Sequence, residues 1–176
     1  MTHRSISSLS ALAVCLMLAA CAEQARPPVP PPVPVAPTTP SARARAAAEA
    51  HVDPQIAAMM ISRYREAHGL SAVTFDPTLQ RLAQAQANAM ASHNVLSHTI
   101  AGTLTQRFDA ANLARATAVE NVSAGYFSLP AALRGWRHSP PHNANLLAPK
   151  MRHLGIALAH APGTRYLVYW ALDMSN

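Results

Sequence analysis

Read as a pattern of apolar and polar positions, the chain divides into three parts. An apolar run from Ile6 to Leu18 follows a charged start at His3 and Arg4. That run is too short and too early for a spanning helix of ~20 residues, and it reads as a signal peptide. Over half of the fifteen prolines then fall between Pro27 and Pro40, interleaved with valine and threonine. Proline fixes φ and removes a donor, so this stretch favours extended polyproline II over packed structure. The Arg/Ala stretch from Ser41 to Ala50 allows a helix, but its pattern gives that helix no buried face. From Asp53 onward the pattern becomes that of a folded domain. The expected division is a signal peptide over 1–20, a tether over 21–50 and one domain over 51–176.

Within the domain the elements announce themselves by their punctuation. Asp53-Pro54 supplies an N-cap acid and a proline at the first helical position. Ile56, Met60 and Tyr64 recur at helical spacing behind it, and Gly69 is the stop. Asp76-Pro77 repeats the device before a second helix with Leu79, Leu82, Ala83, Gln86 and Met90 on one face. Ser128-Leu129-Pro130 opens a third helix, carrying Leu133 and Trp136, which Pro140 and Pro141 end at Ser139. The last quarter changes period. His153–His160 and Thr164–Asp173 read as strands joined by a turn at Ala161-Pro162-Gly163. The second of these is apolar on both faces, which places it near the centre of a covered sheet. The fold class is α+β, a three-layer α-β-α sandwich around a small, mainly antiparallel sheet.

Composition narrows function only a little. Fourteen Lys and Arg against eight Asp and Glu give a formal charge of +6, almost wholly from arginine. Arginines without clustered aromatics, in a chain read as exported, exclude nucleic acid as a partner. Neither cysteine serves a disulfide framework: Cys15 lies inside the apolar run and Cys21 closes it. Leu18-Ala19-Ala20-Cys21 resembles a bacterial lipobox, which implies thioether lipidation of Cys21, cleavage before it, and the membrane as a partner. Ala22 after Cys21 points to outer-membrane sorting in a Gram-negative cell, with the domain facing the periplasm or the exterior.

Three residues carry the candidate chemistry. His98 follows the second helix, Glu120 lies between Val119 and Val122, and His142 follows Pro140-Pro141. An acid in an apolar neighbourhood needs a partner. Two imidazoles and a carboxylate suffice for an open metal site or for general acid–base work, although spacing alone does not bring them together. His93 and His98 are splayed around a helix and make no metalloprotease motif, and neither a Gly-x-Ser-x-Gly elbow nor a Ser-x-x-Lys pair is present. Asn121 reads as a side chain fixing a turn after Glu120, Ser139 as a helix cap in preference to a donor to His142, Trp136 as a core anchor, and Tyr126 and Phe127 as a surface loop or the rim of a cleft.

The stretch from Ile61 to Asn176 resembles the CAP superfamily of cysteine-rich secretory, antigen-five and pathogenesis-related proteins. The matching pieces are Arg63-Tyr64-Arg65, His68-Gly69-Leu70, Leu96-Ser97-His98, Glu120-Asn121-Val122, Trp136, Ser139-Pro140-Pro141-His142, Asn145-Leu146-Leu147, Gly155 and Tyr169-Trp170. The resemblance implies an α-β-α sandwich and a cleft of two histidines and two acids, three of which fall on His98, Glu120 and His142. The second acid has no counterpart, since Thr99 to Gln106 holds no carboxylate and Asp109 beside Arg107 does not match. Ser62 replaces an asparagine common in bacterial relatives and reads as structural. The implied function is a monomeric binding module of the envelope, with zinc or another divalent metal, or a small lipid, glycan or peptide ligand, at His98, His142 and Glu120. Hydrolysis, with Glu120 as base and His142 as acid, is the second expectation, and a purely structural interaction protein the third.

Overall fold

The computed structural model describes residues 41–113 and 116–176. The signal peptide, Cys21 and the tether as far as Pro40 lie outside the described residues; the last ten residues of the expected tether, 41–50, are described. Ten elements follow in order: α1 (Ala42–Ala48), α2 (Pro54–Glu66), β1 (Thr74–Phe75), α3 (Pro77–His93), α4 (Leu104–Ala110), β2 (Ala118–Ala124), α5 (Leu129–His138), α6 (Pro140–Leu146), β3 (His153–Ala161) and β4 (Leu167–Ser175). No helix among the described residues is long and apolar enough to cross a membrane.

The expected caps are in place. Asp53 accepts from the Gln55 and Ile56 amides at 2.8 and 3.2 Å, and Asp76 from Thr78 and Leu79 at 2.7 and 2.8 Å. Proline follows each cap, where its missing N–H costs nothing. The α2 stripe is displaced from the expected one. Ala57, Ala58, Ile61 and Arg65 are buried, whereas Ile56 is exposed and Met60 and Tyr64 are half-buried. Small alanines let α2 lie close on the sheet and turn the larger side chains to its flank.

The four strands run in the order β1-β3-β4-β2, so the closing strand β4 is internal, as its two apolar faces require. Both β2 and β3 pair with β4 antiparallel, and β1 adds two residues in parallel to the start of β3. Alternation then sorts the core into two layers. Leu154, Ile156, Val168, Trp170, Leu172 and Met174 face α2, α5 and α6 with Ile61, Leu133, Trp136 and Leu146. Ala157, Ala159, Ala161, Tyr169 and Ala171 face α3 with Ala83, Ala87 and Met90. This is the three-layer α+β sandwich.

Two features were not expected. The Arg/Ala helix α1 does pack on the domain: Ala47 joins the core, as does Ala50 just past the C-cap, and Arg43 donates to the Arg165 carbonyl at 2.7 Å. Gly155 meets α3 so closely that a Cβ there would lie 2.1 Å from the Leu79 carbonyl carbon and the Gln80 nitrogen. Arg65, wholly buried, donates to the carbonyls of Ser71, Leu146 and Ala148 at 2.8–3.0 Å and ties α2 to the segment before β3. Ser62 exchanges hydrogen bonds with the backbone of Val73 at 2.9 and 3.0 Å, the structural role expected for it.

Candidate functional site

The candidate site straddles the free edge of the sheet at β2. His98 reaches it from the segment after α3, whose course is fixed by Gln86 Nε2 donating to the Ser97 carbonyl. His142 reaches it from the first turn of α6. Between them β2 carries Glu120 and Asn121, whose side chains alternate to opposite faces of the strand. The two imidazoles are close enough that repulsion from His98 adds to burial in lowering the His142 pKa, burial being the larger cause.

Glu120 makes two charged contacts at once. His98 Nδ1 lies 2.8 Å from Oε1, and Arg107 Nη2 forms a short ion pair with Oε2. A carboxylate only accepts, so Nδ1 of His98 carries a hydrogen, and Nε2 is the ring nitrogen left for a ligand. The exposures match this assignment: 57 % of the His98 side chain is open to solvent against 3 % of the Glu120 side chain. Glu120 is thus a buried orienting group behind an exposed imidazole.

A second acid stands behind Glu120, and it comes from β4 rather than from the segment after His98. Asp173 is the register partner of Glu120 across the β2–β4 ladder and is fully buried. Arg107, on α4, reaches both carboxyl groups, with Nη1 3.4 Å from Asp173 Oδ2. One guanidinium cannot neutralise two adjacent carboxylates. Burial, then the Glu120 charge, push Asp173 up to about 8, and Arg107 offsets only part of this. Asp173 therefore carries a proton at neutral pH. The sequence held the same signal for Asp173 as for Glu120, an acid inside an apolar strand; nothing local marks Arg107, which lies in the largely polar helix α4.

His142 is held by neutral groups. Its Nδ1 lies 2.8 Å from Ser139 Oγ, and its carbonyl accepts from Asn121 Nδ2 at 3.0 Å. Asn145 Nδ2 donates to the Glu120 carbonyl at 2.8 Å and to Asn121 Oδ1 at 2.9 Å, and the Tyr64 hydroxyl donates to Asn143 Oδ1 at 2.8 Å. Two sequence expectations change here. Asn121 bonds backbone, but on α6 rather than in a turn, because Glu120 is followed by strand. Ser139 makes no side-chain cap to α6 and is spent on His142.

Trp136 is a core anchor, buried against the sheet. Tyr126 and Phe127 do not rim this site. Tyr126 lies against Gly135 and Phe127 beside the start of α2, where it lines an apolar hollow of about 290 Å³ with Val52, Ile56, Met60 and Leu129. A second such hollow, also about 290 Å³, lies between α1 and the β3–β4 turn. Neither touches the imidazoles.

The family model for the cysteine-rich secretory protein family, CAP, matches residues 59–174, which spans both histidines, Glu120 and Asp173. The chain belongs to the CAP family. Among solved structures this CAP domain resembles an extracellular protein containing an SCP domain from Bacillus anthracis str. Ames, at 25% identity and a TM-score of 0.60, over 70% of this chain and 40% of that one. It also resembles an outer surface protein of Borrelia burgdorferi, at 18% identity and a TM-score of 0.62, over 72% of this chain and 96% of that one. The second likeness is one of fold alone. By sequence, the chain is 30% identical over 96 residues to the uncharacterized membrane protein YlbC of Bacillus subtilis strain 168. The match spans 53% of this chain and only 28% of that protein.

A metal would find two imidazoles with their Nδ1 atoms engaged and their Nε2 atoms free to ligate. Glu120 does not complete a three-residue set, because both of its oxygens are taken. Among the described residues no three His, Cys, Asp or Glu side chains are arranged to hold a metal. Two imidazoles are fewer than the three or four protein ligands of ordinary zinc sites, so an ion held here would need water or a ligand at its remaining positions.

Proposed function

We propose that this CAP domain is a binding module of the cell envelope, whose edge site presents His98 and His142 to a divalent metal such as zinc or to a small polar ligand. The observation that carries the reading is the double engagement of Glu120 by His98 and Arg107. A carboxylate that is buried and bonded on both oxygens aims an imidazole; it does not draw a proton from water. That argues against hydrolysis with Glu120 as base. The apolar hollows lie away from the imidazoles, which favours a metal or a polar ligand over a lipid at this site. The lipobox-like Leu18-Ala19-Ala20-Cys21 supports attachment through a lipidated Cys21, with the domain outside the cytoplasm. The extracellular relative from Bacillus anthracis agrees with that placement.

The test is a calorimetric zinc titration of the full chain beside His98→Ala, His142→Ala and Glu120→Gln. Saturable one-to-one binding is expected, abolished in both histidine variants and weakened about 10–100-fold in Glu120→Gln, as for loss of a group that orients a ligand. A folded chain that shows no saturable zinc binding overturns the metal reading. Cys21→Ser checks the anchor: the protein should leave the membrane fraction and lose the acyl mass.

A further inference from the structure

The outer edge of β3 is finished by the chain itself for only part of its length. β1 pairs with it at His153 and Leu154, and the Asp76 amide donates to the Leu154 carbonyl at 2.8 Å. Beyond β1, helix α3 lends side-chain amides in place of a strand. Gln80 Oε1 accepts from the Ile156 N–H at 3.0 Å, and one turn later Gln84 Nε2 donates to the Leu158 carbonyl at 3.1 Å. These contacts fall on even-numbered residues, so by the alternation of a strand the even positions face away from β4. By the same alternation the Leu158 N–H and both backbone groups of His160 face outward. No described residue hydrogen-bonds to them across that edge.

Those three groups open onto a groove of about 650 Å³ between the end of β3 and the second half of α3. Gln84, Asn88 and Ser92 stand along its helical wall at four-residue intervals, which is one face of the helix. Gln84 Nε2 also donates to Asn88 Oδ1 at 2.9 Å, so the Asn88 amide is turned with its own N–H groups available to an acceptor. The other wall includes the small residues Ala159 and Ala161, and no Asp, Glu, Lys or Arg lines the groove. Leu158 to Ala161 offers roughly 10 Å of edge at ~3.3 Å per residue.

We propose that this distal edge of β3 binds a short, extended, uncharged peptide as an added strand. The unfilled backbone groups ask for peptide donors and acceptors at strand spacing. The chain already answers the first half of the same edge with a strand and then with amides. Amides and a hydroxyl on the facing wall suit the peptide's second edge, and the alanines leave room for its inward side chains. Main-chain bonds supply the affinity in this mode of recognition, and side-chain pockets supply the specificity. The site is separate from His98 and His142 and stands or falls without them.

The probe is acetyl-Thr-Ala-Thr-Ala-Thr-amide, titrated to millimolar concentration into the ¹⁵N-labelled full chain. Amide shifts are expected at Leu158 and His160, with their hydrogen exchange slowed by about tenfold or more. The same peptide N-methylated along its pairing edge should produce neither effect. His160→Pro removes a donor that the fold does not use, and edge strands tolerate proline. That variant should keep the remaining spectrum and lose the response; the N-methylated peptide decides the matter if it does not fold. No response at millimolar peptide overturns the proposal. So does a response at Val122 and Ala124 on β2 instead, or protection of Leu158 and His160 without peptide that grows with protein concentration, which would mean self-pairing.

Discussion

The two histidines of the site are held in opposite ways. His98 is exposed and stands on a buried ion pair, Glu120 with Arg107, backed by the protonated Asp173. His142 is half-buried and stands on hydroxyl and amide groups from Ser139, Asn121 and Asn145. The difference follows from what lies beneath each. On the α3 face, two strand-paired acids require a guanidinium and still retain a proton. On the α6 face, a short helix that begins with two prolines is pinned to β2 by neutral hydrogen bonds alone. Charge makes the first support strong only while every member is present. Neutral bonds make the second support tolerant of single losses.

Removing the cation should break the comparison most severely. Arg107→Met leaves Glu120 and Asp173 facing each other without compensation, and a cost of about 3–5 kcal/mol is expected for a broken buried ion pair, read by urea unfolding. The His98 resonances should shift in that variant more than those of His142.

The pH dependence sharpens the contrast next. Unfolded Asp173 ionises near 3.8 and folded Asp173 near about 8, so between those values the folded state holds the extra proton and stability falls as pH rises. Asp173→Asn should flatten that decline in thermal unfolding measured across the window. His142 has the opposite sign. Its pKa lies below 6.5 in the fold, so its contribution is intact above that pH and is lost as pH falls through 6.5 toward the folded value. An Asp173→Asn profile that declines as steeply as the wild type between pH 4 and 8 would contradict the assignment of the proton to Asp173.

The neutral support should yield the smallest effect. Asn145→Ala removes two hydrogen bonds and leaves Asn121 Oδ1 short of a donor, at a cost of about 1–3 kcal/mol. Its mark should fall on His142 and α6, with the His98–Glu120 contact unchanged by NMR.

Much of this molecule is legible in the chain. The acid-proline pairs at Asp53 and Asp76 fix two helix starts, and the doubly apolar run around Tyr169 and Trp170 fixes the central strand. Those are local signals, set by caps and periodicity. The α2 stripe misleads because Ile56 and Met60 are larger than Ala57 and Ala58, and size suggests burial. Glu120 is identifiable by its apolar flanks, and the same test applied to the last strand finds Asp173. That the two are register partners is not local information, since it depends on β2 pairing with β4 across the intervening helices and β3. Arg107 is hidden for the same reason. Its place is explained only by two acids that the sequence keeps apart.

Gly155 shows how far such a dependence reaches. With no side chain there, the first turn of α3 seats directly on the β3 backbone. A helix of 17 residues extends about 25 Å from that seat, and His98 stands just beyond its far end. One missing methyl at the start of the rod thus acts as its fulcrum. Any group added at Gly155 would tilt or slide the helix and swing the imidazole at the opposite end out of line with Glu120.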